Sequence, residues 1–199
     1  MKLLIRVTSL SFLTLFFISK GNAMLYDQEI EELKYIISPP QIKDVEQLSN
    51  AHVQAWSETY GRRLPKSVLS FFSYDKRHAM WSSFLKESPN KVLIAKRGEE
   101  LIGFTSWKLA DRNTAELLTL YVLNPYQRVG IGSRLLSLVT SALLAEDINK
   151  LNLWVLASNP AIEFYKTKGF SEMRREVKTL GDDSFEETLM EKNIVEGVY

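Results

Sequence analysis

The run Gln127-Arg128-Val129-Gly130-Ile131-Gly132 can do chemistry without a reactive side chain. An apolar stretch reaches it through Asn124-Pro125, and a helical pattern follows, with Leu135, Leu136, Val139, Leu143 and Leu144 on one face. Gly130 and Gly132 lack a Cβ, so a bulky anion can approach the backbone while successive N–H groups meet it from the positive end of a helix dipole. The natural guest is a phosphate or pyrophosphate. The same two glycines also suit a plain tight connection between strand and helix, and spacing alone leaves both readings open. Two common nucleotide motifs are absent: no Lys-Ser or Lys-Thr follows Gly132, and Leu135 stands where a dinucleotide fingerprint has its third glycine.

Other chemistries are limited by composition. The chain has no cysteine, which excludes disulfides, thiolate metal sites and a cysteine nucleophile, and its only imidazoles are His52 and His78, too few for a convincing zinc site. His52 falls on an apolar helical face and His78 on a surface, so neither is a leading catalytic base. With 199 residues, 45% hydrophobic and 25% charged, the chain can bury one good core. Lys2, Arg6 and Lys20 precede Ala23, a segment without acids, so residues 24–199 hold 22 basic against 24 acidic groups, a balance of −2. That balance does not suggest a face-wide footprint for nucleic acid.

The beginning of the chain has two readings. Lys2 and Arg6, the apolar run Val7 to Ile18 and Gly21-Asn22-Ala23 together make residues 1–23 resemble a secretory signal peptide, too short and too interrupted by Ser and Thr for a stable membrane span. Alternatively Met24 is the true start. The first reading implies export and the second a cytoplasmic protein. Residues 24–33 form an acidic lead-in, and the domain is expected over residues 34–195.

The elements that must position the glycine loop follow in order. A short strand at 34–38 stops at Pro39-Pro40. Ile42, Val45, Leu48, His52, Ala55, Trp56 and Thr59 recur at helical spacing and end near Gly61; a second helix starts at Pro65 and is breakable near Tyr74. Strands at 91–97, 100–108 and 115–123 are joined by short turns and so are antiparallel neighbours. The helix after Gly130 is a crossover that makes the strand at 150–156 parallel to its predecessor. Asn159 caps a short helix with Pro160 at its first position, and strands at 170–177 and 185–191 form a hairpin across Gly181-Asp182-Asp183. The expected fold class is α+β, in three α/β/α layers, around a mixed, mostly antiparallel sheet of about seven strands.

Ala115-Glu116-Leu117 leading to Tyr121-Val122-Leu123-Asn124-Pro125, the glycine loop, and Ala161-Ile162-Glu163-Phe164-Tyr165 with Gly169-Phe170 jointly resemble the GNAT superfamily of acetyl-CoA-dependent N-acetyltransferases. The resemblance runs from about Lys34 to the last hairpin. It implies a splayed parallel strand pair at the centre of the sheet, with the pantetheine arm lying along Leu120, Tyr121, Val122 and Leu123, the last two as backbone contacts. It implies that Gln127, Arg128, Val129, Gly130, Ile131, Gly132 and Ser133 cradle the pyrophosphate. Glu116, eleven positions before Gln127, resembles the glutamate base of some members, and a base is needed because an alkylammonium of pKa near ~10.4 is almost wholly charged at neutral pH. Glu116 is equally readable as a solvated strand-end residue paired to Arg112.

Tyr165 matches the tyrosine that protonates or hydrogen-bonds the departing thiolate, with packing of its helix as the alternative. Asn159 lies six positions before Tyr165 and Ser158 seven, where many members have asparagine, so either is a candidate contact to the coenzyme arm. Trp56, Tyr60, Arg62, Arg63, Asp182 and Asp183 border the expected acceptor side. The implied activity is transfer of an acetyl group from acetyl-CoA to a small-molecule amine or protein amino group in one ternary complex, without a metal. A homodimer is compatible with it. A non-catalytic acyl-CoA-binding module and an exported protein retaining the fold are the rivals.

Overall fold

The computed structural model describes residues 34–194 apart from residues 62, 70, 71 and 181. The expectations for residues 1–23 and 24–33, for Arg62 and Gly181 and for the end at residue 195 lie outside the described residues.

Seven strands form one sheet in the order β1-β2-β3-β4-β5-β7-β6. These are β1 (Ile36–Ser38), β2 (Val92–Arg97), β3 (Glu100–Leu109), β4 (Thr114–Val122), β5 (Lys150–Leu156), β6 (Ser171–Leu180) and β7 (Asp183–Asn193). The helices are α1 (Val45–Tyr60), the single turn α2 (Lys66–Leu69), α3 (Tyr74–Glu87), α4 (Ile131–Leu144) and α5 (Ala161–Thr167). The second expected helix is thus divided: α3 begins after Ser73, whose extended backbone (ψ 158°) breaks the turn. The final hairpin is also tighter than expected, because Asp183 already belongs to β7 as the partner of Leu180.

Alternation along β2 separates the two faces of the sheet. Val92 and Ile94 pack with α1 and α3 residues such as Leu48, Ala55 and Trp81, whereas Leu93 and Ala95 pack with Ile131 and Leu135 of α4. Leu135, Val139 and Leu143 of α4 are fully buried, and the last two meet Leu151 and Leu153 of β5 and Tyr165 of α5 in the largest core cluster. Each such side chain contributes roughly 1.5–3 kcal/mol of burial free energy, which seats the start of α4 against the sheet. β4 and β5 are the parallel pair, connected through α4 as a crossover requires.

His52, expected on an apolar helical face, lies inside the core. It is 3% exposed and its Nδ1 accepts a hydrogen bond from Trp81 Nε1 at 3.2 Å. Among the described residues no helix is long and apolar enough to cross a membrane, and no three His, Asp or Glu side chains gather to hold a metal.

Candidate functional site

Two irregularities in the central strands create the site. Parallel pairing runs from Thr114–Lys150 to Leu117–Leu153 and stops there, although β4 continues to Val122 and β5 to Leu156. At the same level β4 bulges, because Ser106 faces Thr119 while Trp107 faces Leu117, leaving Leu118 over. A bulge turns its strand and leaves ladder groups to satisfy. Here the Thr105 hydroxyl donates to the Thr119 carbonyl at 2.8 Å, and the Ser106 and Thr119 hydroxyls share a 2.7 Å hydrogen bond. All three side chains are buried. The parted strands open a cleft of about 690 Å³, walled by Leu117–Val122 on one side and Leu153, Trp154, Val155, Phe164 and Tyr165 on the other.

The glycine loop closes one end. Asn124–Tyr126 form one 3-10 turn, then Arg128 (φ 64°) and Gly130 (φ 91°) take left-handed backbone conformations, the second as the N-cap of α4. Glycine adopts that conformation freely, while arginine pays about 1–2 kcal/mol for it. Among the described residues no protein acceptor takes the N–H groups of residues 128–133. Left-handed residues followed by a helix start make such a row of amides a concave anion nest. Gln127 lines the cleft and also braces the loop: its Nε2 donates to the Val122 carbonyl at 2.9 Å and to Asn124 Oδ1 at 3.1 Å.

The expected binding residues divide as follows. Leu120, Tyr121, Val122, Gln127, Arg128, Gly130, Gly132, Ser133 and Asn159 line the cleft, while Leu123, Val129, Ile131 and Ser158 are not in its wall. Leu123 is 5% exposed and its N–H is already given to the Ile102 carbonyl at 2.9 Å, so it is not free for an added strand. Ile131, the first residue of α4, is buried in the core, and the side chain of Val129 is exposed. Asn159 Oδ1 accepts the Ala161 N–H at 3.0 Å, although α5 opens at Ala161 with Pro160 as its N-cap, one residue later than expected, and the Asn159 amide neighbours the Tyr60 hydroxyl. Ser158 is exposed.

Tyr165 lines the cleft, is 8% exposed, and makes edge contacts with Phe164 and Phe170 at 5.3 and 5.6 Å. Burial, with the nearby Tyr60 hydroxyl, holds its phenol far above the ordinary tyrosine range, so it stays a neutral O–H donor. Glu116 is not in the cleft wall. It sits one residue before Leu117, paired across the sheet with Lys108 and Asn152, and its carboxylate meets Lys108 Nζ at 3.2 Å, the partner being Lys108 where Arg112 was anticipated. On the acceptor side Tyr60 and Arg63 line the cleft, whereas Trp56 stacks on Phe72 at 3.2 Å behind it. Asp182 and Asp183 line neither this cleft nor the smaller recess beside it. Glu58 does line the cleft, and it holds the loop by accepting the Asn124 N–H at 3.1 Å. Nothing in its helical spacing signals that role, since the contact spans 66 residues.

A splayed parallel pair ending in a nest of unpaired amides accords with the profile of the Acetyltransferase (GNAT) family, which matches residues 46–170. The chain belongs to that family. This GNAT acetyltransferase is 28% identical over 131 residues to the uncharacterized N-acetyltransferase YuaI of Bacillus subtilis (strain 168), an alignment covering 63% of this chain and 74% of that one. Among solved structures it is similar to the PaiA N-acetyltransferase from Thermoplasma acidophilum in complex with coenzyme A, at 25% identity and TM-score 0.67, covering 80% of this chain and 99% of that one. Ard1 from Thermoplasma volcanium shares the fold at 21% identity and TM-score 0.65, covering 81% and 99%.

Proposed function

We propose that this GNAT enzyme moves the acetyl group of acetyl-CoA to a primary amine by direct attack within a ternary complex. The observation that carries this reading is the end of β4–β5 pairing after Leu117–Leu153, which frees strand backbone along a cleft that runs to six unpaired amides. Freed backbone on β4 suits the amide-bearing arm of coenzyme A as an added strand, and residues 128–133 suit its pyrophosphate, with the Arg128 guanidinium adding charge. The relative from Thermoplasma acidophilum, solved in complex with coenzyme A, supports coenzyme A as the guest.

Tyr165 is then the hydrogen-bond donor to the sulfur that leaves. Its raised pKa makes it a strong holder of its own proton, so its contribution is stabilising charge on sulfur more than full proton donation to a thiolate whose conjugate acid has pKa near ~8.5. Glu116 stays in the reading as a base acting through solvent, since Lys108 holds it just outside the wall. Orientation in the slot supplies the rest of the rate.

The test couples calorimetric titration of acetyl-CoA with thiol release against pooled primary amines. Saturable acetyl-CoA binding together with amine-dependent thiol release supports the reading. Binding with no turnover on any amine favours a non-catalytic acyl-CoA-binding module, and absence of binding removes both.

A further inference from the structure

On the α1 side of the sheet, separated from the main cleft by Tyr60, lies a recess of about 120 Å³. Trp56, Leu64, Val68, Phe72 and Phe185 form its apolar wall, and among the described residues Glu187 of β7 is its one charged side chain. The backbone of Glu187 is paired in the sheet with Leu156 and Glu176, but its carboxylate has no hydrogen bond or ion pair among the described residues. Its cross-strand neighbour Glu176 is satisfied twice, by Arg174 Nε at 2.8 Å and by Lys178 Nζ at 2.5 Å. Lys178, the cation nearest in the electrostatics of Glu187, is therefore already engaged. A half-buried carboxylate without a partner is costly in an apolar wall, and a ligand cation relieves that cost. Burial accordingly holds the Glu187 carboxyl above its ordinary range, opposed by Lys178 and reinforced by Glu176.

The dimensions limit the guest. An apolar cavity of about 150 Å³ accepts benzene, so this smaller recess limits its guest to at most one ring or a short branched alkyl group. A polyamine would bring a second ammonium into a wall that offers one carboxylate. Trp56 is packed between Tyr60 at 4.4 Å and Phe72 at 3.2 Å, so it presents a fixed apolar edge to the recess. Tyr60 lines the recess and the main cleft alike, so a group held at Glu187 stands next to the splayed strands.

We propose that the recess receives the body of the acceptor and that Glu187 pairs with its ammonium, making the acceptor a compact apolar monoamine. This rests on the acetyl-transfer reading above. The full chain, with saturating coenzyme A, is titrated with 2-phenylethylamine and with spermidine while tryptophan fluorescence and heat are followed, for wild type, E187Q and V68F. Phenylethylammonium is expected to bind more tightly than spermidine and to weaken about tenfold in E187Q, the loss of one partly buried charge partner. V68F, which fills the recess, is expected to abolish amine binding while coenzyme A affinity stays within about twofold of wild type. In turnover, E187Q raises the KM for the amine with little change in the KM for acetyl-CoA.

The proposal is overturned if spermidine binds as tightly, if E187Q or V68F leaves phenylethylammonium affinity unchanged, or if neither amine binds. Circular dichroism of each variant shows whether it is folded, and where E187Q is not, V68F and the two wild-type titrations decide. Coenzyme A titrated alone reads the other claim: loss of its binding removes the acetyl-transfer reading, whereas normal binding without amine selectivity removes only this one.

Discussion

Tyr165 and Glu116 stand in different surroundings, and their substitutions should separate accordingly. Tyr165→Phe removes a donor from the cleft wall and is expected to lower kcat about 10²-fold with acetyl-CoA affinity nearly unchanged, checked by titration beside steady-state rates. Glu116→Gln also breaks the ion pair with Lys108, a half-exposed contact worth at most about 1 kcal/mol, so a large fall in kcat would not be a folding effect. Its pH–rate profile is the decisive measurement, and a profile identical to wild type removes Glu116 from the mechanism. His52 offers a third case. Burial, with the Arg77 guanidinium adding to it, lowers its pKa to about 3, so the folded chain leaves it neutral where the unfolded chain, near the ordinary histidine value of 6.5, takes a proton. Stability is therefore complete above about pH 6.5 and falls by up to about 1.4 kcal/mol per pH unit as pH drops toward 3. His52→Gln can keep an acceptor for Trp81 without the titration, and denaturant midpoints at pH 7 and pH 5 should differ less in it than in wild type.

The loop between β4 and α4 makes a paired prediction at the level of the element. Gly130 has φ 91°, so Gly130→Ala strains the backbone and is expected to cost about 1–2 kcal/mol of stability. A Cβ on Gly132 would meet Val122 and Phe164 at 3.7 and 3.8 Å, ordinary contact, yet Gly132 lines the cleft. Gly132→Ala should thus leave the melting temperature almost unchanged while weakening acetyl-CoA binding; equal effects from the two variants would contradict the assignment. The elements themselves were legible wherever periodicity was long. The α4 face, the three-strand meander and the parallel return of β5 all follow from spacing and turn length. The tight β6–β7 turn was not, because Asp183 carries a turn composition but is held in a ladder by Leu180. The splay of β4 from β5 was anticipated only through the family resemblance, since an apolar strand reads the same whether or not its neighbour stays paired.

For the whole molecule, binding and stability are coupled. A ligand that binds only the folded chain adds about 2.7 kcal/mol at one hundred times its Kd, which for a chain of this size raises Tm by about 5–10 °C. Acetyl-CoA should do so in a thermal melt, and Gly132→Ala should reduce the shift without moving the unliganded Tm. The cleft and the smaller recess meet at Tyr60, where α1, β4 and the start of α5 converge through Tyr121 and Asn159. No local sequence pattern brings residues 60, 121 and 159 together.

Taken alone, the sequence determined the loop that opens α4 and the order and kind of most elements, and through the family resemblance it pointed to Tyr165, which lines the cleft, because each depends on backbone preferences or on contiguous motifs. Tertiary structure decided the rest: that Glu116 is tied to Lys108 outside the wall, that Leu123 spends its N–H on Ile102, and that the Glu187 carboxylate has no partner among the described residues beside an apolar recess. Those outcomes are competitions among groups distant in the chain for the same few hydrogen bonds and charges. Only packing says which of them is satisfied and which is left facing the space where a ligand fits.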